Sequence, residues 1–100
     1  MPTINKPIKK HYQKKEKAKL IYDNVYNTTE WRKLRKAYLM QHPLCEKCLE
    51  NDVISVATQV HHVTPISTAN SILGMKELGY CVTNLMALCD KCHQDIHNKR

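Results

Sequence analysis

Apolar residues at helical spacing mark the first clear element of this chain. Trp31, Leu34, Ala37 and Tyr38 lie three and four residues apart, and the positions between them are mostly basic. This pattern predicts an amphipathic helix over residues 28–41, because one face of a helix repeats about every 3.6 residues. We expect Trp31 to anchor that face in the core.

Residues at both ends of this helix support its bounds. Asn27 followed by Glu30 fits a capping box at the N-terminus. His42 precedes Pro43 and therefore avoids helical angles, which ends the helix. The basic face has two interpretations, an ordinary solvated surface or a strip that lies along phosphates. The residues on that face are Arg32, Lys33, Arg35 and Lys36.

The next apolar stretches predict a strand and a helix. Residues 59–64 are rich in β-branched side chains and are followed by Pro65, which is typical of a strand and its end. Residues 68–78 predict a helix that is interrupted by Gly74 and stopped by Gly79.

The chain then returns as a second strand region over residues 80–89, and Asp90 can cap a short final helix. Residues 20–26 are the most ambiguous stretch, and we expect their apolar side chains to lie along the outside of the domain. The length of 100 residues predicts one small domain.

Charge is unevenly distributed along the 100 residues. The net charge is +7, and residues 1–20 hold seven lysines and one glutamate, which leaves +6 in that segment. We predict a flexible basic arm over residues 1–19 and a folded domain over residues 20–100. Such an arm indicates a polyanionic partner, nucleic acid foremost, or else a solubilising tail. The candidate contacts in the arm are Lys9, Lys10, Lys14 and Lys15.

Cysteine spacing predicts a metal site. Cys45 and Cys48 form one Cys-x2-Cys pair, and Cys89 and Cys92 form a second pair about forty residues later. Two such pairs are typical of a structural zinc site with four thiolates, which would stabilise a domain too small to rely on its core. Cys81 is left over, and we expect it to be a small buried residue.

The residues at the N-terminus include no apolar run after their charges, so we expect no secretory signal. The thiols would then stay reduced in the cytoplasm, where paired cysteines bind metals. No apolar stretch approaches membrane-spanning length, and no membrane partner is expected.

Two pairs of histidines predict a second metal site. His61 and His62 are adjacent on the first strand, so their side chains point to opposite faces. His93 and His97 are four residues apart and share one face of the final helix. This arrangement suggests a division of labour, with one strand histidine on a metal and its neighbour free to accept a proton. Imidazole ligands favour Zn²⁺, Ni²⁺, Co²⁺ or Mn²⁺, and Mg²⁺ stays open because phosphate oxygens and waters complete the shell.

In order along the chain, His61-His62, Asn84 and the Cys-x2-Cys-His93 junction resemble the HNH endonuclease family, in the zinc-knuckle form common in phage and bacterial nucleases. The resemblance covers about residues 31–97. It implies an α+β fold of the small ββα-metal (His-Me finger) type, in which two antiparallel strands and a helix cradle one divalent cation. It also implies flanking helices and a structural zinc held by four cysteines.

The resemblance also implies roles for individual residues. His62 falls at the position of the general base, and Asn84 at that of the asparagine that holds the loop and the base in place. His61 and His93 correspond to metal ligands. His97 matches the extra ligand of members with His-x3-His, whereas many other members have no histidine there, so the ligand count stays at two or three.

The implied activity is metal-dependent hydrolysis of DNA phosphodiester bonds, by nicking or cutting, which leaves 5′-phosphate and 3′-hydroxyl ends. The implied catalytic cation is Mn²⁺, Ni²⁺, Mg²⁺ or Zn²⁺. The resemblance to small phage proteins suggests a role in genome processing beside the terminase or packaging machinery. The alternative is a non-catalytic zinc module that binds DNA or a protein, and an RNA-directed nuclease is a third possibility.

Overall fold

The computed structural model describes residues 13–98. A two-stranded sheet and five helices make up most of this range, joined by one π-helical turn and two 3-10 turns. The helices are α1 (Lys14–Ile21), α2 (Thr29–Gln41), α3 (Glu46–Glu50), α4 (Ile72–Tyr80) and α5 (Asp90–Asn98). The strands are β1 (Gln59–His62) and β2 (Leu85–Leu88); the π turn is Tyr22–Tyr26, and the 3-10 turns are Ile66–Thr68 and Val82–Asn84.

The centre of the fold is the antiparallel pair β1 and β2, followed directly by α5. Gln59 lies opposite Leu88 and His62 lies opposite Leu85. Helix α5 packs against both strands. This β-β-α unit confirms the predicted α+β class. Among residues 13–98, no helix is long and apolar enough to cross a membrane.

Two small clusters form the core. The first joins α2 to the sheet and consists of Trp31, Tyr38, Ala57, Leu85 and Ala87. This confirms the predicted role of Trp31, which is 7% exposed.

The second cluster lies between the π turn, the 3-10 turn after β1 and helix α4. It consists of Val25, Ile66 and Met75. The expectation that residues 20–26 lie along the outside is wrong for Val25, whose side chain is fully buried. The π turn directs this one side chain inward while Tyr22 and Tyr26 keep exposed surface.

Helix α2 agrees with its predicted range, but its cap lies one residue later than predicted. The Thr28 hydroxyl accepts a hydrogen bond from the Trp31 backbone N–H at 3.2 Å, as an N-cap does. The Asn27 side chain instead accepts from Arg32 at 2.8 Å. The predicted capping box of Asn27 and Glu30 is therefore wrong.

Helix α4 differs from its prediction at both ends. It is capped by Ser71, whose hydroxyl accepts from the Gly74 N–H at 3.0 Å, and it continues past Gly79. Gly79 is buried, and a Cβ there would lie 2.5 Å from Val25 Cγ1. This glycine therefore allows the close approach of α4 to the π turn and does not end the helix.

Two other boundaries also differ. Strand β1 ends at His62, two residues before the predicted end, and a 3-10 turn occupies the start of the predicted second strand.

Cys81, predicted to be buried, is exposed, and its sulfur lies 3.1 Å from the Thr83 hydroxyl. Helix α1 runs across residue 19, where the basic arm was predicted to end; residues 1–12 of that arm lie outside the described residues.

Tyr38 connects α2 to the first cysteine pair and to β2. Its hydroxyl lies 2.8 Å from Glu46 Oε2 and 3.0 Å from the Leu85 carbonyl oxygen, and the two acceptors share its one proton. Glu46 Oε2 also accepts from the Ala87 N–H at 2.7 Å. Burial, together with the nearby Glu46 carboxylate, raises the pKa of Tyr38 to about 12.

Replacement of Tyr38 by Phe should destabilise the fold by about 1–3 kcal/mol, because the Glu46 carboxylate and the Leu85 carbonyl oxygen each lose a hydrogen bond. The raised pKa means that the hydroxyl contributes fully below pH 10 and loses its contribution between pH 10 and about 12. Urea unfolding at pH 7 and pH 9 should therefore show the full difference, which should narrow above pH 10. Equal stability of the two proteins at pH 7 would contradict this account.

Candidate metal centres and active site

The four predicted zinc ligands come together. Cys45, Cys48, Cys89 and Cys92 have sulfur atoms that all lie within 4.8 Å of one another. The Cys48 sulfur is 3.9 Å from that of Cys89 and 3.6 Å from that of Cys92. Two sulfurs on a tetrahedral zinc ion with bonds of about 2.3 Å would be about 3.8 Å apart. The cluster therefore suggests zinc binding.

The local electrostatics of the cluster favour one thiolate before any metal binds. The Cys92 backbone N–H lowers the pKa of Cys89 to about 6. Burial raises the pKa of Cys92, and a hydrogen bond with Cys45 raises that of Cys48. The Cys92 backbone N–H therefore favours the thiolate form of Cys89, which is the form that binds a metal.

The three predicted imidazole ligands form a second cluster. His61 on β1 and His93 and His97 on α5 have ring nitrogens that all lie within 4.8 Å of one another. The Nε2 atoms of His93 and His97 are 3.1 Å apart, close to the separation of about 3.3 Å for two nitrogens on one ion with bonds of about 2.0–2.1 Å. Burial and the adjacent His97 lower the pKa of His93. The neutral imidazole that results is suited to hold a cation.

His62 lies on the opposite face of β1 from this cluster. Its side chain is 6% exposed, and its Nε2 lies 3.0 Å from the Gly79 carbonyl oxygen. A carbonyl only accepts hydrogen bonds, so Nε2 carries the proton and Nδ1 keeps its lone pair. Burial lowers the pKa of His62 below 6.5 more than the Gly79 contact raises it. The ring is therefore neutral at pH 7, with one nitrogen able to accept a proton.

Aromatic rings surround His62. The Trp31 ring lies 5.1 Å from it at a tilt of 31°, and the Tyr26 ring meets it edge-on at 5.9 Å. The Tyr26 hydroxyl lies 3.4 Å from Nδ1 of His62. These contacts fix the plane of the imidazole.

Asn84 clamps the loop that separates the two strands. Its Oδ1 accepts from the Thr64 N–H at 2.7 Å, and its Nδ2 donates to the carbonyls of Thr64 at 3.1 Å and Leu78 at 3.0 Å. The Leu78 carbonyl directly precedes Gly79, whose own carbonyl orients His62. Asn84 therefore fixes the backbone that holds the imidazole.

Both strand histidines line one open cavity of about 300 Å³. Its walls come from β1, from residues 65–67 after it, from α5 and from the N-terminal segment, by which we mean residues 14–26. The lining includes Ala18, Ile21, Tyr26, His61, His62, His93 and His97. The imidazole cluster and the His62 ring therefore border the same cavity.

Sequence reasoning missed the contribution of the N-terminal segment and of Gly79. The ambiguous pattern of residues 20–26 gave no sign that Tyr26 would reach His62, since the two are 36 residues apart in sequence. A glycine inside a helical pattern was the available signal for Gly79, because such glycines often mark close packing.

A sequence model of the HNH endonuclease family matches residues 45–99. The chain belongs to the HNH endonuclease family. The fold is similar to that of a phage enzyme described as "Crystal structure of deep-sea thermophilic bacteriophage GVE2 HNH endonuclease with manganese ion". That protein is 26% identical, with a TM-score of 0.70, over 89% of this chain and 94% of the other. No curated protein sequence matches the chain. Family membership indicates an enzyme that cleaves DNA.

The predicted DNA contacts of this HNH endonuclease differ in their surroundings. Lys14 and Lys15 are exposed on α1, and Lys33 and Lys36 lie on the outer side of α2. Arg32 donates to Asn27, and the guanidinium of Arg35 donates to the Thr58 carbonyl at 2.9 Å. Both arginines therefore also stabilise the fold. Lys9 and Lys10 lie outside the described residues.

Loss of one thiol should remove zinc from the HNH endonuclease. The purified protein should hold one zinc ion per chain after dialysis, and Cys48→Ser should lose it and unfold at a clearly lower temperature, because zinc binding is worth about 10–16 kcal/mol in small domains. Elemental analysis and thermal melts measure both effects. Cys81→Ser is the matched control, since Cys81 is exposed and outside the cluster. Retention of zinc by Cys48→Ser would refute the four-sulfur site.

Proposed function

We propose that this chain is a metal-dependent endonuclease that hydrolyses DNA phosphodiester bonds and leaves 5′-phosphate and 3′-hydroxyl ends. The observation that carries the proposal is the placement of two neighbouring histidines. His61 belongs to the imidazole cluster, and His62 presents a proton-accepting nitrogen beside the same cavity. A structural metal site alone gives no reason for the second of these features.

The catalytic cation would be held by His61, His93 and His97. When bound, a divalent cation supplies Lewis-acid stabilisation of charge on the phosphoryl and leaving oxygens. Manganese is the first candidate, because the similar phage structure is described with a manganese ion. Ni²⁺, Mg²⁺ and Zn²⁺ are the others, and the four cysteines would keep a separate structural Zn²⁺.

His62 is the proposed general base. Its Nδ1 takes a proton from a water molecule while the water oxygen forms a bond to phosphorus and the bond from phosphorus to the 3′ oxygen breaks. The 3′ oxygen then takes a proton from solvent and becomes the 3′-hydroxyl. The base must remain off the metal, since a coordinated nitrogen has no lone pair for a proton. The opposite faces of β1 support this separation.

Asn84 is the proposed positioning residue for this base. Its side chain binds the backbone of Thr64 and Leu78. It acts through the Leu78–Gly79 backbone, whose carbonyl selects the His62 tautomer.

The DNA backbone would approach the cavity along α1. Lys14, Ala18 and Ile21 are spaced at i, i+4 and i+7, so they share one face of the helix. Ala18 and Ile21 line the cavity, which places Lys14 next along the same face. The arm with Lys9 and Lys10, the neighbouring Lys15, and the basic face of α2 with Arg32, Lys33, Arg35 and Lys36 would extend this contact.

The biological setting that we propose is phage genome processing. The likeness to an enzyme from a bacteriophage supports it. The partners would then be DNA and phage terminase or packaging proteins, inside the cytoplasm of a bacterial host. Co-purification with a terminase from the same genome would test this assignment.

Replacement of His62 by Ala should lower the rate of plasmid cleavage in Mn²⁺ by about 10²- to 10⁴-fold, the usual contribution of a general base. Zinc content and DNA affinity should stay near those of the parent. The measurement is single-turnover nicking of supercoiled plasmid, with thermal melts to check folding. His42→Ala is the control, because His42 is exposed and stacks on Tyr38 away from the cavity.

If His62→Ala cuts DNA as fast as the parent, the role assigned to His62 as general base is wrong. If the parent itself does not cut DNA in Mn²⁺, the non-catalytic zinc module becomes the better account. A preference for RNA substrates in the same assay would favour the RNA-directed alternative.

Removal of two lysines near the cavity should weaken DNA binding in a salt-dependent manner. The double variant Lys14→Gln, Lys15→Gln should lower the slope of log affinity against log salt by about 2, because about one counterion is released per phosphate contact. Fluorescence anisotropy at several salt concentrations measures this slope. Lys47→Gln, Lys76→Gln removes the same charge from α3 and α4 and should change the slope less. Equal slopes for both variants would show that α1 is not a DNA contact.

A further inference from the structure

Tyr26 lies at the end of the π turn and in contact with the imidazole of His62. Its hydroxyl oxygen lies 3.4 Å from Nδ1, and its ring meets that of His62 at 5.9 Å and an angle of 62°. It also meets the Trp31 ring edge-on at 5.5 Å. Tyr26 precedes residues 45–99, where the family match lies, so the family pattern does not include it.

The hydrogen-bond roles at His62 follow from its two neighbours. The Gly79 carbonyl accepts from Nε2 at 3.0 Å, which leaves Nδ1 as an acceptor. Tyr26 offers an O–H donor to that acceptor. A tyrosine hydroxyl keeps its proton at pH 7, and burial raises the pKa of Tyr26 further from that pH. The imidazole is thus held at both nitrogens, by an acceptor on one side and a donor on the other.

The length of the Tyr26 contact matters for the reaction. At 3.4 Å the hydrogen bond is long and weak compared with the usual 2.7–3.2 Å. A weak donor orients the ring without strongly occupying the lone pair, so a water molecule can replace it at Nδ1. Tyr26 also lines the cavity, so the displaced hydroxyl would remain beside that water.

The backbone around Tyr26 is fixed by several contacts. Val25 is fully buried and packs against Gly79. The Val25 carbonyl accepts from the Thr28 hydroxyl at 2.7 Å and from the Tyr80 hydroxyl at 3.2 Å. The element that presents Tyr26 is therefore held to α4, the same helix that supplies the Gly79 carbonyl.

We propose that Tyr26 is a positioning residue for the cleavage reaction: its hydroxyl holds the His62 ring with Nδ1 directed to the cavity, where the attacking water binds. This inference rests on the proposed role of His62 as the general base. It adds a residue from the N-terminal segment to an active site that otherwise lies within the matched family region.

Replacement of Tyr26 by Phe tests the hydroxyl alone, since the ring remains to pack on Trp31 and His62. In the full-length, zinc-loaded protein, kcat for Mn²⁺-dependent cleavage should fall about 3- to 10-fold, as expected for loss of one hydrogen bond that orients the base. KM, Mn²⁺ affinity and melting temperature should stay unchanged. Tyr22→Phe is the matched control, because Tyr22 lies on the same turn, is 56% exposed and is not part of the cavity wall.

A second measurement does not depend on activity. Nitrogen-15 spectra of histidine-labelled protein without manganese should show His62 with its proton on Nε2, and the Nδ1 resonance should move toward that of an unbonded imine nitrogen in Tyr26→Phe and not in Tyr22→Phe. An unchanged Nδ1 resonance, or a kcat equal to that of the parent, overturns the proposal. If Tyr26→Phe lowers the melting temperature and also changes KM, the role of Tyr26 is purely structural, and this outcome also overturns the proposal.

The two proposals fail in different ways. If His62→Ala cleaves like the parent, the base assignment fails, whatever Tyr26 does. If His62→Ala is inactive while Tyr26→Phe has full activity and an unchanged Nδ1 resonance, the base stands and the role of Tyr26 is refuted.

Discussion

The register of β1 against β2 is the constraint on which the site depends. Side chains alternate along a strand, so His61 and His62 point to opposite faces. With His61 opposite Met86 and His62 opposite Leu85, the first imidazole meets α5 and the second meets Gly79. A slip of one residue would exchange the two faces. His62 would then face α5, and the nitrogen proposed to accept a proton would be placed among the metal ligands.

Hydrogen bonds at both ends of the sheet hold this register. At one end, the Asp90 carboxylate accepts from Thr58 at 2.6 Å and from Gln59 at 3.1 Å, which ties the start of β1 to the first turn of α5. At the other end, the Asn84 carbonyl accepts from the Val63 N–H at 2.9 Å, and the Asn84 side chain binds Thr64.

The cysteine cluster closes the same unit from outside. It joins α3, which contains Cys48, to α5, which contains Cys92. Glu46, between the first two cysteines, reaches the Ala87 N–H in the middle of β2. A zinc ion bound to the four sulfurs would therefore stabilise β2 as well as the two cysteine-containing segments.

Much of this arrangement was predictable from the sequence, because it depends on local periods. The alternation of a strand separates His61 from His62, and the helical spacing of four brings His93 to His97. The spacing of the two Cys-x2-Cys pairs predicted that their four sulfur atoms would lie close together. The predicted range of α2 was correct to within one residue for the same reason, since its apolar residues repeat with the helical period.

The features that the sequence did not predict depend on contacts between distant segments. Gly79 has the local character of a helix stop, but its position within α4 is decided by Val25, far earlier in the chain, which leaves no space for a Cβ. Thr28 displaces Asn27 as the cap of α2 because its hydroxyl also donates to the Val25 carbonyl and lies 2.8 Å from the Tyr80 hydroxyl. Local propensity does not include such tertiary contacts.

The burial of His62 connects these contacts to the chemistry. An imidazole that is 6% exposed loses much of the hydration that would favour its charged form, so it stays neutral and keeps an acceptor. A buried imidazole with no hydrogen-bond partner would lose its hydration and would also have no group to fix its orientation. The Gly79 carbonyl replaces that water at Nε2, and α4 can supply it only because Gly79 lies close against Val25. The tautomer of the proposed base is therefore set by the packing contact between Val25 and Gly79.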